Sequence, residues 1–309
     1  MTRRAAIDIG TNSVRLLVAD VGEDPAGGGA LRPVDRRLTI TRLGESLHAG
    51  GLLTPDAAAR TAAVVEEYVA RAKESGVPDP VVAATYAVRA ARNPDALLSR
   101  LSVPVRVLSG EDEAALGFRG VVSGFRDLAP DAPVAVLDVG GGSVEVTWGT
   151  ARHGVEGSRS LPIGCVVMTK RMIAHDPPAP AETAALEETL AAALEPVLAP
   201  LRSRTDRLIG VGGTVTTLAA MAQRLVPYEP DRVHGYRLTA AEVGRLLETA
   251  RRLPLAERRR LPGLQPERAD VIIAGTLVVR HVLASLRCDA ITASEADLLW
   301  ALVAAPPAR

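Results

Sequence analysis

Only two cysteines occur in 309 residues, Cys165 and Cys288, and each stands in a strand-like or core-like context with no C-x-x-C spacing. That argues against a C-x-x-C centre, and without a secretion signal no structural disulfide is expected. Net charge is missing too. The 36 basic and 36 acidic side chains cancel, so no overall field draws the chain to nucleic acid or membrane, and any polyanion specificity has to be local. No apolar run approaches the ~20 residues a membrane span needs. The N-terminus, Met1-Thr-Arg-Arg-Ala-Ala-Ile-Asp-Ile-Gly10, enters a strand at once with no apolar signal core. These absences predict a cytoplasmic protein. The length exceeds the usual size of a single core and suggests two domains of ~150 residues. With 47% hydrophobic residues, the chain can bury a core in each.

Glycine is placed with more purpose. Val134-Ala-Val-Leu-Asp-Val-Gly-Gly-Gly-Ser-Val-Glu-Val146 reads as a buried strand ending in Asp138, a turn of Gly140, Gly141 and Gly142 closed by Ser143, and a return strand carrying Glu145. Consecutive glycines let backbone N–H groups surround an anion, with phosphate the natural occupant. The flanking acids would repel a bare phosphate, so a divalent cation is expected between Asp138 or Glu145 and the phosphoryl oxygens. The same unit occurs earlier. Asp8-Ile-Gly10-Thr11-Asn12-Ser13-Val14 matches Asp138-Val-Gly140-Gly-Gly-Ser143-Val144, with Asp, Gly, Ser and Val in register at an offset of 130 residues. The repeat implies two copies of one hairpin, able to face one another across a cleft. The alternative is two unrelated hairpins with ordinary turn residues. A third glycine turn, Gly210-Val-Gly212-Gly213-Thr214, follows a strand and opens a helix, a setting suited to phosphate.

Several further residues admit two readings. Arg89, just past the strand Pro80 to Thr85, is a phosphate clamp or a solvated side chain. At the helix start Ser109-Gly-Glu-Asp-Glu113, Ser109 and Asp112 fit a capping box, and Glu111 favours the helix dipole. Glu113 has no such explanation. It shares a face with Gly117, Gly120 and Gly124, and either orients a water or is one more solvated acid. His234 is a ligand contact or a hydrogen-bonded structural histidine. The cluster Arg258-Arg259-Arg260 is solvated or touches a phosphate chain. Gly27 to Gly29 reads as a surface turn or flexible loop. The segment Asp127 to Pro133 is the best linker. Helices are expected from a Thr54 cap to Lys73, over Ala181 to Glu195, after a Thr239–Glu242 capping box, over Arg268 to Leu286 and over Glu295 to Val303. Val103 to Leu108 reads as a strand, and Ala290 to Ala293 as a short edge strand.

Taken together, Asp8 to Ser13, Arg89, Ser109 to Glu113, Asp138 to Glu145, Gly210 to Thr214, His234-Gly-Tyr-Arg-Leu238 and Glu267-Arg-Ala-Asp270 resemble the exopolyphosphatase / guanosine pentaphosphate phosphohydrolase family. The resemblance runs from residue 5 to about 303 and is nearest to the short two-domain actinobacterial members. It implies an α/β fold of two ribonuclease-H-like domains of the actin / sugar kinase / Hsp70 superfamily, with an interdomain cleft. The domains would span residues 1–126 and 127–309, the final helix being free to pack back on the N-terminal domain.

The same resemblance implies roles. The family's water-activating glutamate falls on Glu113 and its phosphate-contacting arginine on Arg89. Its phosphate loops fall on Gly10, Thr11, Asn12 and Ser13, on Gly140, Gly141, Gly142 and Ser143, and on Gly212, Gly213 and Thr214. Its metal-associated acids fall on Asp138 and Glu145, with Asp8 a further candidate, for Mg²⁺ or Mn²⁺. The implied reaction is release of a terminal phosphate from polyphosphate or guanosine pentaphosphate (pppGpp), by a protein that binds neither nucleic acid nor membrane; many relatives are homodimers. Longer relatives add C-terminal helical domains, including an HD-like one; these are not matched here, so processive digestion of long chains is not implied. Trp300, Ala301 and Ile273 also depart from the usual pattern. The rival readings are an ATP-dependent kinase of the same superfamily and a non-catalytic polyphosphate or (p)ppGpp sensor.

Overall fold

The structure is a computed structural model and describes residues 1–22 and 31–305; the Gly27–Gly29 loop lies outside the described residues. The chain divides into unit 1, Met1–Ser123 with Asp297–Arg309, and unit 2, Gly124–Ala296. Unit 1 holds β1 (Thr2–Ile9), β2 (Ser13–Val21), β3 (Leu31–Ile40), β4 (Val81–Ala84) and β5 (Arg106–Val107), in the order β3-β2-β1-β4-β5. The first three strands form an antiparallel meander, and β4 and β5 add in parallel to β1. Unit 2 holds β6 (Val134–Val139), β7 (Val144–Thr150), β8 (Gly154–Leu161), β9 (Arg207–Val211), β10 (Arg237–Thr239) and β11 (Ala290–Ala293). Its order is β10-β11-β9-β6-β7-β8. Read from β8, this is the order of unit 1 with one extra edge strand. Each is a ribonuclease-H-like α/β core, and the duplication seen in the two Asp–Gly–Ser hairpins extends to the topology.

The strand patterns show why. β1 is buried at every residue from Ala5 to Ile9 because helices cover both faces of its sheet. Alternate residues serve opposite cores. Ile7, Ile9, Val14 and Leu16 pack with Val65 and Tyr68 of helix Pro55–Glu74. Ala6, Leu17 and Ala19 pack with Leu116 of helix Gly110–Ser123 and with Leu298 and Leu302 of helix Leu298–Ala304. Each fully buried aliphatic side chain contributes about 1.5–3 kcal/mol. The closing helix thus belongs to the core of unit 1, although a whole unit separates it in sequence. Helix Pro55–Glu74 starts where Thr54 and Pro55 indicated, with the Thr54 hydroxyl accepting from the Ala57 N–H at 3.3 Å.

Some boundaries differ from the sequence reading. The strand expected over Val103–Leu108 shrinks to Arg106–Val107, since Pro104 has no N–H to give a ladder. β11 lies between β9 and β10 and is no edge strand; β10, only three residues long, covers it. The last two helices begin later than expected, at Ile272 and Leu298. At the second, the Asp297 carboxylate caps the Leu299 N–H at 2.9 Å, leaving Glu295 outside. The segment 127–133 lies in unit 2, held by Arg207–Asp127 at 2.6 Å and Arg152–Asp131 at 2.7 Å.

Candidate active site

Each unit carries one Asp–Gly–Ser turn, and both are built alike. In unit 1 the Gly10 N–H donates to the Ser13 carbonyl at 3.0 Å; in unit 2 Gly140 does the same to Ser143, also at 3.0 Å. The segment after the third strand then ties down the carbonyl side of each turn. In unit 1 the Thr41 and Arg42 N–H groups donate to the Asn12 carbonyl and Gly44 to Thr11, at 2.9–3.0 Å. In unit 2 the first N–H groups of helix Cys165–Met172 do this work: Cys165 donates to Gly140 at 2.9 Å and Val166 to Gly141 at 3.0 Å. Helix-start donors that could have faced a ligand are spent on the loop. The N–H groups of Thr11, Asn12, Gly141 and Gly142 have no protein acceptor among the described residues. A turn whose carbonyls are already bound and whose N–H groups are left over favours an anion.

In unit 1 the strand ends bring three sequence-derived candidates together, Arg89, Glu113 and Asp8. Arg89 sits in the short helix Tyr86–Ala90 after β4. It donates to Glu113 Oε2 at 2.8 Å and to the Leu108 carbonyl at 2.8 Å. Its guanidinium is therefore engaged within the protein and is not simply solvated. Glu113 lies in the first turn of helix Gly110–Ser123, its side chain about one-fifth exposed. The Ser109 hydroxyl accepts from the Asp112 N–H at 3.0 Å, so half of the expected box is present; the Asp112 carboxylate itself turns to Arg106 at 3.6 Å. Burial raises the Glu113 carboxyl above its ordinary range, and the Arg89 guanidinium pulls it back down. Asp8 is 3% exposed and pairs across the hairpin with Arg15, whose Nη2 lies 2.6 Å from Oδ2. Arg15 also pairs with Asp297. Burial raises the Asp8 carboxyl against the pull of Arg15. Its Oδ1 is buried with no hydrogen-bond partner among the described residues. Gly117 faces open space, whereas a Cβ at Gly120 would overlap the Asp297 carbonyl, so the glycine face serves close packing at one end and stays open near Glu113.

In unit 2, Asp138 and Glu145 are direct cross-strand partners in the β6–β7 ladder. Such partners share one face with Cβ atoms ~5 Å apart. Glu145 Oε1 accepts from Ser160 at 2.6 Å on β8. Gly212, at φ +81, presses against the Asp138 carboxylate so closely that a Cβ would overlap Oδ1. The third glycine turn therefore belongs with the second. Gly213 is covered by the guanidinium of buried Arg268, which sequence reading placed only within a motif. Thr214 is 4% exposed and its side chain packs on Gly275, so it can offer a ligand its backbone N–H only.

Two other candidates resolve structurally. His234 hydrogen-bonds at both ring nitrogens to backbone groups. Arg258 is 3% exposed, paired with Asp176 at 2.7 Å and donating to the Ala269 carbonyl at 2.9 Å, so it is a buried structural arginine, while Arg259 and Arg260 are exposed. Arg15 was missed because inside a strand it reads as a solvated cross-strand residue. Its signal was its place in the hairpin repeat, opposite Asp8 where unit 2 has Glu145 opposite Asp138.

Comparison with known proteins agrees with this geometry. The profile of the Ppx/GppA phosphatase family matches residues 18–298. Exopolyphosphatase 2 of Mycobacterium tuberculosis is 37% identical over 316 aligned positions, covering 97% of each chain. Among solved structures, a Ppx/GppA family member of Aquifex aeolicus superposes with a TM-score of 0.81 at 32% identity, covering 98% of this chain and 96% of that one. An exopolyphosphatase from Cytophaga hutchinsonii gives 0.85 at 26% identity, covering 97% and 96%. With duplicated phosphate-type turns, a helix-borne glutamate held by arginine, and relatives that match along nearly its whole length, the chain belongs to the Ppx/GppA phosphatase family.

Proposed function

We propose that the protein hydrolyses the terminal phosphoanhydride bond of inorganic polyphosphate or of guanosine pentaphosphate. The observation that carries this reading is Glu113: a carboxylate largely removed from water, raised by burial, and oriented by a 2.8 Å bond from Arg89. A base in that state suits the alignment and deprotonation of a water for in-line attack. In unit 1 the N–H groups of Thr11 and Asn12 would hold phosphoryl oxygens, with Arg89 adding fixed positive charge; in unit 2 those of Gly141 and Gly142, and the turn Gly212, Gly213 and Thr214, would do so, with the buried Arg268 adding it. The names of the mycobacterial and Cytophaga relatives favour polyphosphate as substrate.

Asp138 and Glu145 fit a divalent cation, since two carboxylates facing each other across a ladder beside an anion-binding turn repel both each other and the substrate. Among the described residues no group of three or more His, Cys, Asp or Glu side chains converges on a metal position. Mg²⁺ would accordingly rest on these two acids, substrate oxygens and water. When bound, the cation offsets the charge of the phosphoryl group. Arg89 opposes the upward pull of burial on the Glu113 carboxyl and aims it, and the turns would hold the leaving chain.

Glu113→Gln keeps the shape and the Arg89 contact but cannot take a proton. We expect phosphate release from short polyphosphate to fall by about 10²–10⁴-fold with circular dichroism unchanged. Release at the unmutated rate would overturn the assignment. Running the assay without an acceptor on polyphosphate, pppGpp and ATP separates hydrolysis from kinase chemistry.

A further inference from the structure

His234 stands in the His-Gly-Tyr-Arg-Leu stretch that the proposed chemistry does not use. It precedes Gly235, whose φ of +80 turns the chain sharply, and the loop is fastened to β11 by Gly235 N–H to the Ala293 carbonyl at 2.8 Å and Ala293 N–H to the Tyr236 carbonyl at 2.9 Å. On this rigid support the imidazole bridges two backbone segments distant in sequence. Nε2 lies 3.1 Å from the Gly124 carbonyl, and Nδ1 lies 3.2 Å from the Glu295 amide nitrogen. A carbonyl only accepts and an amide N–H only donates, so the ring carries its proton on Nε2 and its lone pair on Nδ1. Phe125 stacks on it with ring centroids 4.7 Å apart, and the Arg207 guanidinium lies 4.9 Å from the same Phe125 ring. Tyr228 donates to the Glu295 carboxylate.

Gly124 and Glu295 are special positions. The chain leaves unit 1 after Ser123, the last residue of the helix that carries Glu113, and it re-enters at Asp297, two residues beyond Glu295. Asp297 pairs with Arg15 and caps the closing helix, whose start packs against Gly120 of the Glu113 helix. One imidazole therefore ties together the tail of the segment that positions the water-orienting glutamate and the head of the segment that positions Arg15 and, through it, Asp8.

We propose that His234 is a positioning residue for phosphate release, a clamp that holds both chain crossings in fixed register so that Glu113 and the Asp8–Arg15 pair keep their reactive geometry. It touches no substrate and acts only through these segments. Misplacement of a catalytic group by ~1 Å lowers turnover by up to ~10²-fold, so a lost clamp is visible in kcat. The inference rests on the hydrolase reading for its kinetic consequence, whereas the clamp itself can be read without turnover.

The test uses the full chain and two variants. His234→Phe keeps the stacking on Phe125 and most of the volume but has neither hydrogen-bonding atom; His234→Gln restores one donor and one acceptor. The expected result for His234→Phe is at least a tenfold lower kcat on short polyphosphate with KM within threefold of the unmutated protein. Amide exchange at Glu295 should be at least tenfold faster while β9 amides keep their rates. His234→Gln should recover most of the kcat and of the Glu295 protection. Unchanged exchange at Glu295 in His234→Phe overturns the clamp, and so does unchanged kcat where exchange has accelerated. A loss of protection throughout β9 would mark a folding role and also overturn the positioning role. If the unmutated protein releases no phosphate from polyphosphate or pppGpp, the functional reading fails, and the exchange result still decides whether the clamp exists.

Discussion

Unit 1 and unit 2 share a sheet order, a turn and a way of pinning that turn, yet their hairpins put opposite charges to work. Asp8 faces Arg15 across β1–β2; Asp138 faces Glu145 across β6–β7. In the first the pair is internally neutral and Asp8 is buried; in the second two partly exposed acids share a face. The strand-to-helix passages differ in the same spirit. After β4 unit 1 places Arg89, a cation, whereas after β9 unit 2 places Gly212 and Gly213 and leaves the space to backbone donors. A duplicated scaffold has thus kept its backbone geometry while its side chains diverged. In the proposed reaction unit 1 would hold and tune a base, and unit 2 would attract a cation and bind phosphate through N–H groups.

The largest way to break this comparison is to remove one charge from each hairpin. Arg15→Met leaves Asp8 buried beside an apolar side chain and should destabilise the protein by about 3–5 kcal/mol near neutral pH, measured by chemical denaturation. Burial raises the folded-state pKa of Asp8, so its ionised form opposes folding above the ordinary Asp range; the penalty should shrink as pH falls back toward that range. Glu145→Gln should change stability by less than about 1 kcal/mol while raising the Mg²⁺ concentration needed for half-maximal phosphate release. Equal stability losses in the two hairpins would erase the distinction.

A second contrast concerns the pinning segments. A Cβ at Gly164 would overlap the backbone of Gly141 and Gly142, which cannot move without reshaping the turn; at Gly44 it would meet the Thr11 methyl, which can rotate away. Gly164→Ala should therefore destabilise by about 1–3 kcal/mol and lower turnover, and Gly44→Ala by distinctly less in thermal unfolding. A larger loss at Gly44 would show that the unit 1 turn is the stiffer one. The smallest effect is a displacement along the pH axis. Arg89 lowers the Glu113 pKa against burial, so Arg89→Met should move the acid limb of the kcat/KM profile to higher pH. A shift toward lower pH would mean that Glu113 is not the titrating group.

Much of this was legible beforehand because it rests on local rules. The Thr54 and Thr239 caps, the glycine turns and the Asp–Gly–Ser repeat depend on residue types at short spacing, and the structure places each where those rules put it. Glu113 stood out because capping explained its neighbours and not it. Other features were illegible for reasons that lie outside any local window. Arg258 reads as one arginine in a charged run, and only its distance from Asp176 makes it a buried ion pair. β11 looks like an edge until β10, three residues long, pairs with it.

The sequence by itself determined the duplicated α/β hairpin unit and the anion-type turns, because glycine conformational freedom, strand periodicity and capping act over a few residues. Tertiary structure decided which carboxylates are paired, tuned or left facing one another. It set Arg15 between Asp8 and Asp297, Arg89 on Glu113, and His234 between Gly124 and Glu295, contacts that span from 7 to 282 residues of chain. Charge and hydrogen-bond partners at such separations are chosen by packing, and no spacing rule in the sequence carries that choice.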